Sequence, residues 1–271
     1  MKRYKKERKM MKNYKALVFF DLDGTLLDVK SKISPENHQA ILELKQNNIL
    51  PIIATGRSPK EIKEVILGTS IDSYVSLNGQ FNVVEQEVVS KHVIPVAIIR
   101  ELMSFSKLLG HSLACYTEND YATCYTTNSM KKLYELDNAS LPKISSDFYE
   151  NNEIYMVYLF SEDKEKDQLY QEQFSGSVAF YRDSPYSMAV VLKGQSKKSG
   201  IQQVIKHLNL EHLPTYAFGD GNNDLGMFEA VDTAIAMGNA SDQVKSHADF
   251  ITKSHMDGGI TFALRHFELI N

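Results

Sequence analysis

Asp21 and Asp23 stand two residues apart in Asp21-Leu22-Asp23-Gly24-Thr25, directly behind the continuous apolar run of residues 17–20. In extended backbone, side chains two apart point the same way. Two carboxylates held that close favour a divalent cation or a shared proton. Gly24 permits a tight turn immediately afterwards. Taken alone, the pattern also fits an acidic boundary between a strand and a turn, where Asp-Gly is common. A second acidic cluster, Gly219-Asp220-Gly221-Asn222-Asn223-Asp224, follows another short apolar run far down the chain. Its spacing is not that of the twelve-residue calcium loop. Asp220 can share a cation with Asp21 only if their two strands lie in one sheet, carboxyl ends together. Between the clusters, Thr55-Gly56 sits where the apolar run 49–54 gives way to a helix start. A hydroxyl and a glycine there suit phosphate, because free N–H groups and the helix dipole both favour an anion.

The elements that would position these groups read as an α/β fold. The uninterrupted apolar runs are those of strands buried on both faces of a parallel sheet. Side chains at the carboxyl ends of such strands converge on a ligand crevice. Ser34-Pro35 caps a helix with Ile41, Leu42 and Leu44 on its apolar face. Ser58 and Glu61 form a capping box ahead of Ile62, Val65 and Ile66. Residues 73–77 make a third strand, followed by Asn78-Gly79. Strand and helix thus alternate, which predicts a parallel, Rossmann-like sheet.

The pattern changes at residue 80. A helix over 95–109 precedes a hairpin, 113–116 and 122–125, around Glu118-Asn119-Asp120. A strand over 154–160, a charged helix over 162–174 and a second hairpin, 178–181 and 188–192 around Asp183-Ser184-Pro185, follow. This reads as an α+β module inserted into the first unit. Strands over 215–218, 234–237 and 250–252 then return to it. The predicted division is a basic arm over 1–13, a core of 14–79 with 193–271, and a cap of 80–192.

The motifs together resemble the haloacid dehalogenase (HAD) superfamily of phosphohydrolases, specifically its Cof-type subclass IIB. That family's signature opens with D-x-D-G-T after a buried strand. A Thr or Ser at the next strand end, a lysine in G-x-S-K-x-x-G and a G-D-G-x-N-D loop follow in order. Here Thr55, Lys197 and 219–224 fill those places. The resemblance spans nearly the whole chain after the arm, and the lysine register is its loosest part, with Lys193 and Lys198 close by. It implies that Asp21 is the nucleophile of an aspartyl-phosphate pathway. Asp23 would protonate the leaving group and then activate water. Asp21, the Asp23 main-chain carbonyl and Asp220 would bind the metal, with Asp224 orienting ligands or reaching the ion through water. Thr55, Gly56, Lys197 and Asn223 would hold the phosphate oxygens. An all-oxygen donor set without His or Cys suits Mg2+. The substrate implied is a small phosphomonoester such as a sugar phosphate. Tyr116, Glu118, Tyr121, Arg182 and Tyr186 near cap turns are candidates for substrate choice, each also readable as ordinary packing. Arg57 could contact substrate or brace the cap. Alternatives are a phosphotransferase or phosphomutase of the same superfamily and a non-catalytic regulatory protein that kept the fold.

Composition fits that reading. The chain of 271 residues is 43% apolar and 24% charged, an ordinary globular balance. No apolar run reaches the roughly 18 residues of a membrane span, and residues 1–15 lack the apolar segment of a secretory signal. Cys115 and Cys124 do not form a C-x-x-C pair, which points to a reduced cytoplasmic setting. Residues 1–15 carry eight Lys or Arg against one Glu within a net charge of −4. Such an arm can bind nucleic acid or an anionic membrane surface. Without interleaved aromatics it reads instead as a disordered tail, or as an artefact if Met10 or Met11 is the start. The acidic remainder argues against a nucleic-acid surface. The sequence is silent on oligomeric state.

Overall fold

The computed structural model describes residues 13–136, 139–182 and 184–271. The basic arm through residue 12, and Asp183 of the second hairpin turn, lie outside the described residues.

Five strands open the fold: β1 (Ala16–Phe20), β2 (Ile49–Ala54), β3 (Tyr74–Ser76), β4 (Phe81–Val84) and β5 (Glu87–Lys91). Next come β6 (Ser112–Tyr116), β7 (Tyr121–Thr123), β8 (Lys143–Ile144), β9 (Met156–Phe160), β10 (Val178–Arg182) and β11 (Ser187–Leu192). The chain closes with β12 (Thr215–Gly219), β13 (Thr233–Ala236) and β14 (Phe250–Ile251). One sheet has the order β14-β13-β12-β1-β2-β3-β4-β5, the other β10-β11-β9-β6-β7-β8. In the first, β14 through β3 run parallel, and β4 runs antiparallel to both of its neighbours, β3 and β5.

The apolar run of β1 is explained by burial on both faces. Ala16, Val18 and Phe20 join one buried cluster, Leu17 and Phe19 another. With no wet face there is no place for a polar residue. β1 lies between β12 and β2, with Phe20 opposite both Phe218 and Ile53. From β1 the order runs one way through β2 and β3, and the other way through β12, β13 and β14. Asp21, Asp220 and Thr55 therefore emerge side by side where the strand order reverses, the place at which open α/β sheets bind ligands.

The first sheet extends beyond residue 79. β4 and β5 belong to it, so the chain leaves this sheet after Lys91. Their two-residue turn, Glu85-Gln86, has φ of +47° and +68°, a geometry normally carried by Asn-Gly. It is held from outside. The Glu85 N–H donates to Ser73 Oγ at 2.9 Å, and its carboxylate accepts from the Tyr14 hydroxyl at 2.6 Å.

The second sheet buries both faces. Leu113, Cys115, Val157 and Leu159 pack with Ile99 and Leu102 of the helix Val96–Leu108. Ala114, Tyr116, Met156 and Phe160, on the opposite face by strand alternation, share a cluster with Phe20, Leu77 and Phe81 of the first sheet. The two sheets meet through Phe81 and Tyr155, rings 5.1 Å apart, and through Lys60 N–H donating to the Glu118 carbonyl at 3.1 Å. The charged helix is shorter than its sequence pattern, Asp167–Gln173 after a single turn at Lys164–Lys166. Upstream, Ser161 Oγ takes the Asp163 N–H at 3.1 Å, a local bond that competes with helix. No described helix is long and apolar enough to cross a membrane.

Candidate active site

Asp21 is the first residue beyond β1, and its N–H continues the ladder to the Phe218 carbonyl at 3.0 Å. The chain then turns over Leu22–Leu26, closed by Leu26 N–H to Asp21 O at 3.3 Å and Leu27 N–H to Leu22 O at 2.9 Å. Gly24 has φ +74°, and a Cβ there would come within 2.3 Å of Asp220 Oδ2. Glycine is therefore required twice over, for the backbone and for the neighbouring carboxylate.

Lys197 begins the helix Lys197–Leu208. A reciprocal cap fixes that start: Ser199 N–H donates to Ser196 Oγ at 3.3 Å, and Ser196 N–H to Ser199 Oγ at 2.9 Å. The helix sits against the turn after β3, where Gly79 at φ +88° leaves no room for a Cβ beside the Ser196 carbonyl. Lys197, a residue 2% exposed, donates from its ammonium to Asp21 Oδ1 at 2.5 Å and to Asp224 Oδ1 at 2.7 Å. The nearby lysines go elsewhere, Lys193 to the Ser175 carbonyl and Lys198 to Glu229.

Asp224 is fully buried and also accepts the Asp220 and Gly221 N–H groups at 3.0 and 2.9 Å. Asp220 Oδ1 accepts from Thr25 Oγ1 at 2.8 Å. Asp21, Asp220 and Asp224 each present a carboxylate oxygen within 4.8 Å of the others. Burial raises the Asp21 pKa well above the carboxylate range, Asp224 adds to it, and Lys197 opposes both. Asp220 is pushed up to about 6, chiefly by burial. For Lys197, burial disfavours the charge, but the two carboxylates outweigh it and raise the pKa. Three carboxylates this close, two of them buried, could hold a hard cation beside the Lys197 ammonium. The all-oxygen donors and the space kept by Gly24 fit Mg2+.

Asp23 is not in that group. Its side chain, 60% exposed, is gripped by Arg57, Nε to Oδ2 at 2.9 Å and Nη2 to Oδ1 at 2.5 Å. Thr55 is buried, its Oγ1 accepting the Arg57 N–H at 3.2 Å. Gly56 packs against the Asn78 amide, whose Nδ2 lies 3.8 Å from Met156 Sδ of the second sheet. Asn223 is exposed in the turn Asn222–Asp224. Of the residues expected at cap turns, Tyr116 is buried and stacks on Tyr121 at 4.8 Å, and Glu118 offers its carbonyl to Lys60. Arg182 is engaged within the second sheet's own unit, pairing with Asp167 and bonding the Ser161 carbonyl at 3.0 Å. Tyr186 lies under Lys132 at 5.8 Å.

Sequence reasoning missed Thr25 and Asn239. Asn239 Nδ2 donates to the Gly24 carbonyl at 2.8 Å and to Asp220 Oδ2 at 3.4 Å. Its signal was position alone: a polar residue just past β13, the strand beside β12.

A doubly wound parallel sheet, with carboxylates and a buried lysine gathered at its switch point, places the chain among the α/β proteins that bind their ligand there. The chain belongs to the haloacid dehalogenase-like hydrolase family, whose model matches residues 18–264. It is 34% identical over 264 residues to the Bacillus subtilis protein YkrA, provisionally named a phosphatase, covering 94% of this chain and 98% of that one. It is 26% identical over 265 residues to the B. subtilis 5-amino-6-(5-phospho-D-ribitylamino)uracil phosphatase YcsE, covering 93% and 96%. The solved structure of the HAD subclass IIB sugar phosphatase BT4131 superposes with a TM-score of 0.83 at 28% identity, covering 94% of this chain and all of that one.

Proposed function

We propose that this enzyme hydrolyses small phosphomonoesters, sugar or polyol phosphates among them, with Mg2+ and through an aspartyl-phosphate on Asp21. The observation that carries the proposal is the meeting of Asp21, Lys197, Asp220 and Asp224 at one point of the sheet edge. The names of YcsE and BT4131, which include a phosphoribityl compound and a sugar, support the substrate class.

In the first step an Asp21 oxygen attacks phosphorus in line while the bond to the leaving oxygen breaks. Asp23 gives that oxygen a proton. In the second step Asp23 takes a proton from water, whose oxygen attacks the phosphoryl group, freeing phosphate and restoring Asp21. Lys197 holds Asp21 in place and neutralises phosphate charge, and the Thr55 hydroxyl, Gly56 N–H and Asn223 amide hold the remaining oxygens. Asp21, Asp220, Asp224 and the Asp23 carbonyl would hold Mg2+, which offsets the repulsion between nucleophile and phosphate.

The first sheet is the core. The second is a cap that excludes water and selects the leaving group. The boundary falls at residues 92–95 and 193–196, since β4 and β5 are part of the first sheet. Two unpaired cysteines support a cytoplasmic setting.

A screen of phosphorylated metabolites with Mg2+, run beside Asp21→Asn, tests this reading. Phosphate release by the wild type and a loss of about 10³-fold or more in the variant are expected. A variant as active as the wild type would overturn it. Release unaffected by added sugar alcohols separates hydrolysis from transfer.

A further inference from the structure

We infer that Asn239 is a positioning residue for the metal site, setting the orientation of Asp220 and locking the Asp21–Thr25 loop against it. The inference rests on the metal reading above and concerns a residue no motif assigned.

Three strand-end loops meet at this amide. Asn239 Nδ2 spends one proton on the Gly24 carbonyl at 2.8 Å and the other on Asp220 Oδ2 at 3.4 Å. Its Oδ1 accepts the His255 N–H at 3.0 Å. The side chain thus uses both protons and its oxygen, which fixes which way the amide faces. Asp220 is held from two sides. Thr25, from the loop after β1, binds Oδ1 at 2.8 Å, and Asn239, from the loop after β13, binds Oδ2. These loops flank β12, so the carboxylate plane is set by both neighbouring strands rather than by its own.

The Gly24 contact has a separate consequence. Gly24 carries no side chain, stands at φ +74° and lies against Asp220. The Asn239 bond to its carbonyl pins the loop that carries Asp21 and Asp23 at the place where it must not move into Asp220. Partners that orient metal ligands typically contribute 10- to 100-fold in affinity. Asn239 is itself exposed, so water competes for these bonds and the lower end of that range applies.

Mg2+ titration calorimetry on the full chain, wild type against Asn239→Ala, tests this. The expected result is an affinity for Mg2+ weakened about tenfold, with the metal-free protein still folded and unfolding cooperatively. Turnover of p-nitrophenyl phosphate should recover toward the wild-type kcat at saturating Mg2+, because bound metal restores the Asp220 orientation and the loop position that Asn239 otherwise holds. A folded variant with wild-type Mg2+ affinity would overturn the inference. Wild-type protein that takes up no Mg2+ would overturn the metal reading and this inference together. If Asn239→Ala does not fold, Asn239→Leu, which fills the side-chain space without a donor, is judged by the same affinity.

Discussion

Arg57 holds Asp23 by both oxygens, through Nε at 2.9 Å and Nη2 at 2.5 Å. This two-point grip fixes the plane of the carboxylate, which a lysine could not do. The Asp23 side chain is mostly exposed, so the pair contributes little to stability. Arg57→Lys should change unfolding free energy by less than about 1 kcal/mol. It should nevertheless lower kcat by about 10-fold or more, through loss of acid–base alignment. Urea unfolding and steady-state kinetics check both. A large stability loss with unchanged kcat would show that Arg57 serves the fold instead.

Lys197 separates two buried carboxylates. Replacing it by Met leaves Asp21 and Asp224 facing each other without a counter-charge, and breaking a buried pair this way costs about 3–5 kcal/mol. Metal-free Lys197→Met should therefore unfold at markedly lower urea than the wild type. An unchanged midpoint would mean that the carboxylates are already neutralised by protons.

Gly24→Ala would strain the backbone at φ +74° and drive its Cβ into Asp220. Loss of Mg2+-dependent thermal stabilisation is expected, beyond the roughly 1 kcal/mol that a left-handed alanine alone costs. Wild-type stabilisation by Mg2+ in this variant would show that the loop has room to move.

His111 lies in the second sheet's unit, its Nδ1 bonded to Tyr170 at 2.8 Å and its Nε2 to Ser161 at 3.1 Å. Burial lowers its pKa below 6.5, Lys166 adds to this, and Asp163 and Asp167 oppose it. The unfolded chain therefore takes up the proton first as pH falls. The stability contributed by the neutral ring is complete above pH 6.5, and it drains away below 6.5 until the folded ring also protonates. His111→Gln should lose less melting temperature than the wild type between about pH 7.5 and about pH 5.5. Equal losses in both proteins would assign the pH dependence to other groups.

The sheet edge was legible because chemistry and burial act there in the same residues. A strand such as β1, buried on both faces, announces itself by an unbroken apolar run, and Asp21 is conspicuous where that run stops. The β4–β5 hairpin was not legible as part of the first sheet. Its turn, Glu85-Gln86, lacks Asn or Gly and depends on Ser73 and Tyr14, which lie elsewhere in the chain. The helix Asn128–Leu136 went unread for a different reason: its apolar stripe, buried Met130 and Tyr134 with half-buried Leu133, spans little more than one turn. Asn239 shows the same limit at the site, and so does the pairing of Arg57 with Asp23, since Arg57 stood out only as a contact for substrate or cap. A side chain that acts by gripping another has no signature until the fold brings the two together.

The central claim is tested most directly by acid-quenching the wild type during turnover of p-nitrophenyl phosphate with Mg2+ and mapping the labelled peptide by mass spectrometry. A phosphoryl group on Asp21, absent from Asp21→Asn, is the expected result. Rapid hydrolysis with no phosphoryl group on Asp21, or with one on another residue, would contradict it.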